Sequence, residues 1–306
     1  MSDGAHDQDQ IEYGRTVMML MNKPDNKFVI DFFQTINVRA AKDNRQFWTK
    51  LRGKYNKKIT EELASIVDAR EDGGGKNLYE FKNHTFALSM DFSSYSADLY
   101  RRLFEWYLSI YDEKPKRILD IGCDNGIVTC FLGKLFPESE IIGIDISNNS
   151  IKCARELSHK LHLTNVKFEV KNLFELPQEY ITNPFDMIIS VRSMHEVFGN
   201  LPDIRFWSLK ECVNKLPSSD NHLKMSLIAE LLKDENSQYF SFERIQSMAQ
   251  LAIMSTIFEK CQLHVNWDKS RQVHFHEVGV EQNMPALLLT KSRLEDKVDI
   301  IEGIYE

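Results

Sequence analysis

Cysteine is scarce in this chain and odd in number. The five residues Cys123, Cys130, Cys153, Cys212 and Cys261 contain no Cys-x-x-Cys pair, which argues against a disulfide framework or a zinc site. Long apolar runs are missing too. None approaches the roughly 18 residues that a membrane span requires. The N-terminal patch Val17–Met21 lacks the charged start, long core and small-residue cleavage site of a signal peptide, so the expected setting is cytoplasmic and membrane-free. An excess of basic charge is also absent. The net charge is −7, which weighs against a nucleic-acid partner, because phosphate backbones are bound by basic surface. The local exception is Lys50, Arg52, Lys54, Lys57 and Lys58, read as a solvated helix face. His274 and His276 lie two apart without a third ligand nearby, too little for a metal site.

What is present is ordinary in bulk and specific in places. At 306 residues, 42% hydrophobic and 27% charged, the chain has enough apolar material for one large or two modest domains. Residues 1–10 are polar and expected to be disordered. Residues ~26–70 read as helical, with Trp48, Leu51, Tyr55, Ile59, Leu63 and Ile66 on one face at spacings of three and four. Glu71-Asp72-Gly73-Gly74-Gly75 is the clearest breaker. Tyr79–Ser89 reads as a short hairpin around Asn83-His84. A helix capped by Ser94 or Ser96 follows, burying Leu99, Leu103, Trp106 and Ile110. Two units are expected: an N-terminal helical lid or substrate region, 1–93, and a ligand-binding domain, 94–306.

The most informative stretch is Arg117-Ile118-Leu119-Asp120-Ile121-Gly122-Cys123-Asp124-Asn125-Gly126. It reads as a buried strand ending in an acid, then a glycine turn, then the start of a helix. Gly122 and Gly126 permit close backbone approach to a ligand, and the helix N-terminus points its N–H groups at the same place. A dinucleotide site would carry Gly-x-Gly-x-x-Gly. Here the first position is Asp120, which repels a diphosphate and attracts an ammonium group. A second strand, Glu140–Ile146, ends in Asp145 about twenty residues past the loop, where an acid meets ribose hydroxyls. Val166–Val170 is a third strand, followed by Asn172-Leu173-Phe174. Phe185–Val191 is a fourth, ending at Ser190-Val191-Arg192-Ser193-Met194-His195.

This series resembles the class I S-adenosylmethionine-dependent methyltransferases over residues ~94–291. The resemblance implies an α/β fold with a doubly wound, seven-stranded, mostly parallel sheet, and S-adenosylmethionine as cofactor. Carried over position by position, it implies cofactor contacts from Asp120, Gly122, Cys123, Asp124 and Gly126, from Asp145 and Ile146, from Asn172, Leu173 and Phe174, and from Ser190. Asn172 departs from the family, which often has an acid accepting from the adenine amino group there. Tyr95 is the pre-motif residue expected at the cofactor. Cys123 is read as a small packing residue rather than a nucleophile. The end of strand four offers His195, Arg192 and Glu196 as candidate catalytic groups. His195 is either a base or caps or packs at the start of the next helix, and Arg192 either holds a substrate carboxylate or bridges to a surface acid. Asn183-Pro184-Phe185 superficially resembles the Asn-Pro-Pro-Tyr motif of amide and base methylases, but it precedes strand four.

Further elements are expected at Ile127–Phe136, Asn149–Leu161, Ile204–Leu216 and Phe242–Cys261 as helices. Leu223–Leu227, Leu263–Trp267, Val273–His276 and Ala286–Thr290 are expected as strands. The expected activity is methyl transfer to a hydroxyl, carboxyl or amine of a small metabolite, by a monomer or homodimer. A peptide or protein acceptor is the first alternative, and a non-catalytic cofactor-binding scaffold the second.

Overall fold

The computed structural model describes residues 25–69, 75–111, 114–194, 221–245 and 247–292. The N-terminal part is helical: α1 (Asn26–Thr35), α2 (Asn44–Lys54), α3 (Lys57–Asp68), α4 (Gly75–Lys82) and α5 (Phe86–Phe92). Side chains start most of these helices. Asp25, Asp43, Asn56 and Thr85 each accept a hydrogen bond from a first-turn N–H, the standard remedy for orphan donors. The expected hairpin at Tyr79–Ser89 is instead the α4–α5 pair. The reason lies in two side chains. Thr85 caps Leu88, and Asn83, expected to turn a hairpin, spends its amide on distant partners, Asp124 and Ser150. The basic run is partly tied down: Lys50 and Lys54 pair with Asp91 at 3.3 and 2.8 Å.

Next comes α6 (Ala97–Ile110), with Leu99, Leu103 and Trp106 fully buried. Ser96 stands at its N-cap but makes no capping bond; its hydroxyl donates to Glu277. The α/β core then alternates β1 (Arg117–Ile121), α7 (Ile127–Leu135), β2 (Glu140–Asp145), α8 (Asn148–Lys160), β3 (Val166–Val170), α9 (Gln178–Thr182) and β4 (Met187–Val191). It continues with α10 (Asn221–Leu231), β5 (Gln238–Phe242), α11 (Met248–Lys260), β6 (His264–Val265), β7 (Arg271–Glu277) and β8 (Val280–Thr290). The sheet order is β3-β2-β1-β4-β5-β8-β6, with β7 on β8. Strands β1 to β5 run parallel, and β8 is antiparallel to β5, β6 and β7. This is the expected doubly wound architecture, with eight strands among the described residues.

Leu223–Leu227 is not the fifth strand; it lies within α10. Met225, Ile228 and Leu231 are buried at helical spacing, so the strand-like alternation of Leu-Lys-Met-Ser-Leu falls within the turns of a helix. The strand is Gln238–Phe242, and Ser247, not Phe242, opens the following helix. Of Leu263–Trp267 only His264–Val265 pairs. The expected helix Ile204–Leu216 and Cys212 lie outside the described residues.

Period two divides the strands between two cores. Ile118, Met187, Ile189 and Phe240 face α1, α6 and α7, whereas Leu119, Ile142, Ile188 and Tyr239 face α10 and α11. A third cluster belongs to the cap: Phe47, Leu51, Leu63, Leu78 and Leu88 enclose Val278. Val278 and Gly279 form the two-residue turn of the β7–β8 hairpin, with φ of 45° and 85°. A β-branched residue at positive φ is costly, and burial of its side chain under the cap offsets that cost.

Candidate functional site

A cleft of about 1050 Å³ opens at the carboxyl ends of β1, β2 and β4, the location that open parallel sheets reserve for ligands. Its volume lies at the upper end of the roughly 300–1,000 Å³ typical of small-molecule sites. One part is the glycine loop. Gly122 and Cys123 donate their N–H groups to the Ile144 carbonyl at 2.9 and 3.0 Å, fastening the loop to β2. Gly122, Asp124 and Gly126 all adopt positive φ. A Cβ on Gly122 would lie 2.4 Å from Ser193 Cβ, and one on Gly126 would lie 2.8 Å from Ala154 Cβ. The two glycines therefore admit the turn after β4 and α8. Gly126 is absent from the cleft wall; its close approach is to protein.

Asp120, Asp124 and Asp145 all reach the cleft. Asp120 is fully buried and accepts the Thr129 hydroxyl at 2.6 Å. Burial, reinforced by the charges of Asp145 and Asp124, pushes its carboxyl up to about 7. Asp145 accepts N–H bonds from Ser147 (2.8 Å) and Asp124 (2.9 Å). Burial, then the Asp124 charge, raises it to about 6. Desolvation disfavours an anion that lacks a compensating cation, so this wall suits a ligand carrying positive charge and hydroxyl donors. Burial also pushes the Cys123 thiol well up, which fits a packing residue and not a nucleophile.

Asp124 is held chiefly by the N-terminal cap. Lys82 Nζ and Asn83 Nδ2 both donate to it, and Asn125 donates to Ser89 and Ser93 at 2.9 and 2.8 Å. Helices α4 and α5 thus clasp the glycine loop. Ile146 and Phe174, 58% and 43% exposed, line the cleft beside Lys171, Asn172 and Leu173. The Asn172 amide oxygen accepts from Phe174 N at 3.1 Å and its nitrogen donates to Glu175, which orders the turn through Leu173. Tyr95 also lines the cleft, its ring 5.3 Å from Phe47.

Ser190 differs from expectation. It is fully buried and off the cleft wall, its hydroxyl lying between the Tyr239 hydroxyl at 2.8 Å and Glu243 Oε1 at 2.9 Å. Glu243 also accepts Met194 N at 3.2 Å. Because side chains alternate across the sheet, this position faces the α10–α11 side, where it anchors the turn after β4. Arg192, at φ 55°, does line the cleft, where it forms a buried ion pair with Glu277. Burial works against both charges, yet the pair overcomes it: Arg192 holds Glu277 below the usual carboxylate range, and Glu277 raises Arg192. Arg192 thus bridges to an acid, a buried one rather than a surface one. His195 and Glu196 lie outside the described residues.

Sequence reasoning missed Lys82, Tyr79, Phe92, Arg244, Glu277 and Met284, and it assigned Trp48 to core; all line the cleft. No motif marks them, since they come from five separate segments. Among the described residues no group of three or more His, Cys, Asp or Glu could hold a metal ion, and no helix is long and apolar enough to cross a membrane.

Residues 112–270 match a family described as "Methyltransferase domain". An uncharacterised methyltransferase of Schizosaccharomyces pombe is 31% identical over 103 residues, covering 32% of this chain and 35% of that protein. The malonyl-[acyl-carrier protein] O-methyltransferase of Bacillus cereus is 30% identical over 34% of this chain and 41% of its own. The release factor glutamine methyltransferase of Flavobacterium psychrophilum is 26% identical over 48% and 47%. The chain thus spans about a third to a half of the length of these relatives. Among solved structures, the mitomycin 7-O-methyltransferase MmcR aligns over 76% of this chain and 67% of its own at 14% identity, with a TM-score of 0.47.

Proposed function

We propose that this chain, which belongs to the methyltransferase-domain family and so to the S-adenosylmethionine-dependent methyltransferases, methylates a hydroxyl, carboxyl or amine of a small metabolite. One observation carries the reading. Asp120, the Gly122–Asp124 turn, Asp145, Ile146 and Phe174 converge on one cleft whose remaining wall comes from the helical cap, the turn after β4, Arg244 and the β7–β8 hairpin. The donor set fits the cofactor. Asp120, which has no cation partner among the described residues, offers negative charge to an ammonium group, while Asp124 is already paired with Lys82. Asp145 keeps lone pairs for ribose hydroxyls beside the two backbone bonds it accepts, and Ile146 and Phe174 offer apolar faces to a base.

When bound, S-adenosylmethionine supplies an electrophilic methyl group on a cationic sulfur, open to in-line displacement. This chain's residues then have three tasks: to hold the acceptor atom in line, to exclude water and to accept a proton where the acceptor loses one. The cap, with Lys82 and Asn83 on the glycine loop, closes the cleft. The Arg192–Glu277 pair holds the turn after β4. His195 and Glu196, directly after that turn, remain the candidates for proton transfer.

Curated relatives are named as ribosomal RNA and release-factor methyltransferases. The net charge of −7 and a cleft walled by its own cap favour a small acceptor over either. Calorimetry with S-adenosylmethionine and S-adenosylhomocysteine, followed by labelled methyl transfer to a metabolite extract, a proteome and total RNA, tests the reading. Binding with label appearing in small molecules is expected. Label in protein or RNA refutes the acceptor class, binding without transfer points to a scaffold, and no binding refutes the whole.

A further inference from the structure

The part of the cleft that the cofactor residues leave over is aromatic. Trp48, Tyr79, Phe92, Tyr95 and Tyr100 line it, with Met284, and each of the five rings is only partly buried. Three of them are mounted on one fully buried ring. Phe47 is 1% exposed, and its centroid lies 5.1 Å from Trp48, 5.4 Å from Phe92 and 5.3 Å from Tyr95. Phe92 and Tyr95 are nearly parallel, with 7° between their planes. Here the central ring is buried and the outer ones keep surface at the cleft.

Lys82 Nζ stands 5.1 Å from the Tyr79 centroid and 5.9 Å from that of Phe92, but it is ion-paired with Asp124. Arg192, on the same cleft, is paired with Glu277. Neither cation sets the charge of a ligand at the rings, so the rings themselves carry the inference.

Resting on the methyltransferase reading above, we infer that the acceptor is a planar, ring-bearing small molecule seated by its face against the Trp48–Phe92–Tyr95 surface. Rigid aromatic side chains provide contact area at low entropic cost, and offset or edge-on ring pairs add to simple burial. Aliphatic acceptors forgo that contribution.

Equilibrium binding to the full chain tests this in the presence of S-adenosylhomocysteine. The probes are 4-hydroxybenzoate, indole-3-carboxylate and tyramine, the saturated counterpart of each, a tyrosine-containing peptide and a short RNA. At least one of the three ring probes should bind saturably and about tenfold more tightly than its saturated form. Trp48→Leu should weaken that binding about tenfold while S-adenosylhomocysteine affinity stays within about twofold, and Phe92→Leu serves if Trp48→Leu lowers the melting temperature. The inference is overturned if no ring probe saturates, if a saturated counterpart, the peptide or RNA binds better, or if the substitution leaves affinity unchanged. Failure of S-adenosylhomocysteine itself to bind the unaltered protein overturns the underlying methyltransferase reading instead.

Discussion

Replacing Asp120 by Asn should make the ligand-free protein more stable and its cofactor binding weaker. Asp120 is 1% exposed and its carboxyl rises from 3.8 to about 7, chiefly through burial. In the unfolded chain it returns to its ordinary value. Between about pH 4 and pH 7 the folded state therefore keeps a proton that the unfolded state has released, and stability falls as pH rises through that window by up to about 1.4 kcal/mol per unit. From pH 5 to pH 7 the loss from this group alone is about 2–3 kcal/mol. Asparagine cannot ionise, and its side-chain oxygen can still accept the Thr129 hydroxyl that Asp120 accepts at 2.6 Å. Urea unfolding of both proteins from pH 5 to pH 8 should show the variant more stable at pH 8, with the gap closing toward pH 5. Asp145 also titrates in this range, and its charge raises Asp120; removing the Asp120 charge eases the ionisation of Asp145, which adds to the variant's gain at high pH in the same direction. Calorimetry at pH 8 should show S-adenosylmethionine affinity down at least tenfold, since a charge-assisted bond contributes about 1.5–3 kcal/mol. Parallel pH profiles for the two proteins, or a variant less stable at pH 8, would refute the view that this carboxylate is held desolvated for a ligand.

Asp145→Ala should weaken S-adenosylhomocysteine binding at least tenfold (about 1.5–3 kcal/mol), measured by calorimetry. An unchanged constant would reduce Asp145 to its bonds with Ser147 and Asp124. Arg192→Met should cost about 1–3 kcal/mol in urea unfolding, because the buried Glu277 carboxylate loses its ion-pair partner and keeps the Ser96 hydroxyl and the Arg244 charge; the double variant with Glu277→Leu should recover most of it. Gly279→Ala should cost about 1–3 kcal/mol, since a Cβ there would lie 2.6 Å from the Lys42 carbonyl oxygen at φ 85°; thermal melts showing no loss would mean that the cap yields. Removing residues 1–69 should leave cofactor affinity within a few-fold while abolishing turnover, because the α4–α5 clasp on Asp124 and Asn125 remains and Trp48 is lost. A soluble truncation with full turnover would return the acceptor site to the core domain.

The elements that were legible in the sequence are those written by local rules. Ile118, Leu119 and Ile121 form a buried strand, Gly122 and Asp124 take the positive φ of the turn, and Asp145 closes β2 at the expected distance. A parallel strand and its following loop are specified by contiguous residues, so the wall of the cleft at β1 and β2 could be read one residue at a time. Tertiary structure decided the rest. Leu223–Leu227 alternates apolar and polar residues as a strand would, but it is too short for periodicity to tell helix from strand, and only the faces available for burial placed it in α10. Ser190 sits where the motif expects a ligand contact, but the alternation of side chains in β4 turns it toward Tyr239 and Glu243. Asn83 reads locally as a turn residue, and its choice of Asp124, 41 residues away, is invisible until the cap is docked. Trp48, Phe92, Arg192 and Glu277 meet only because the β7–β8 hairpin and the helical cap close over the same sheet edge. The part of the cleft at the carboxyl ends of neighbouring strands leaves a linear trace in the sequence. The aromatic part is built from side chains brought together by long-range packing, and that packing leaves none.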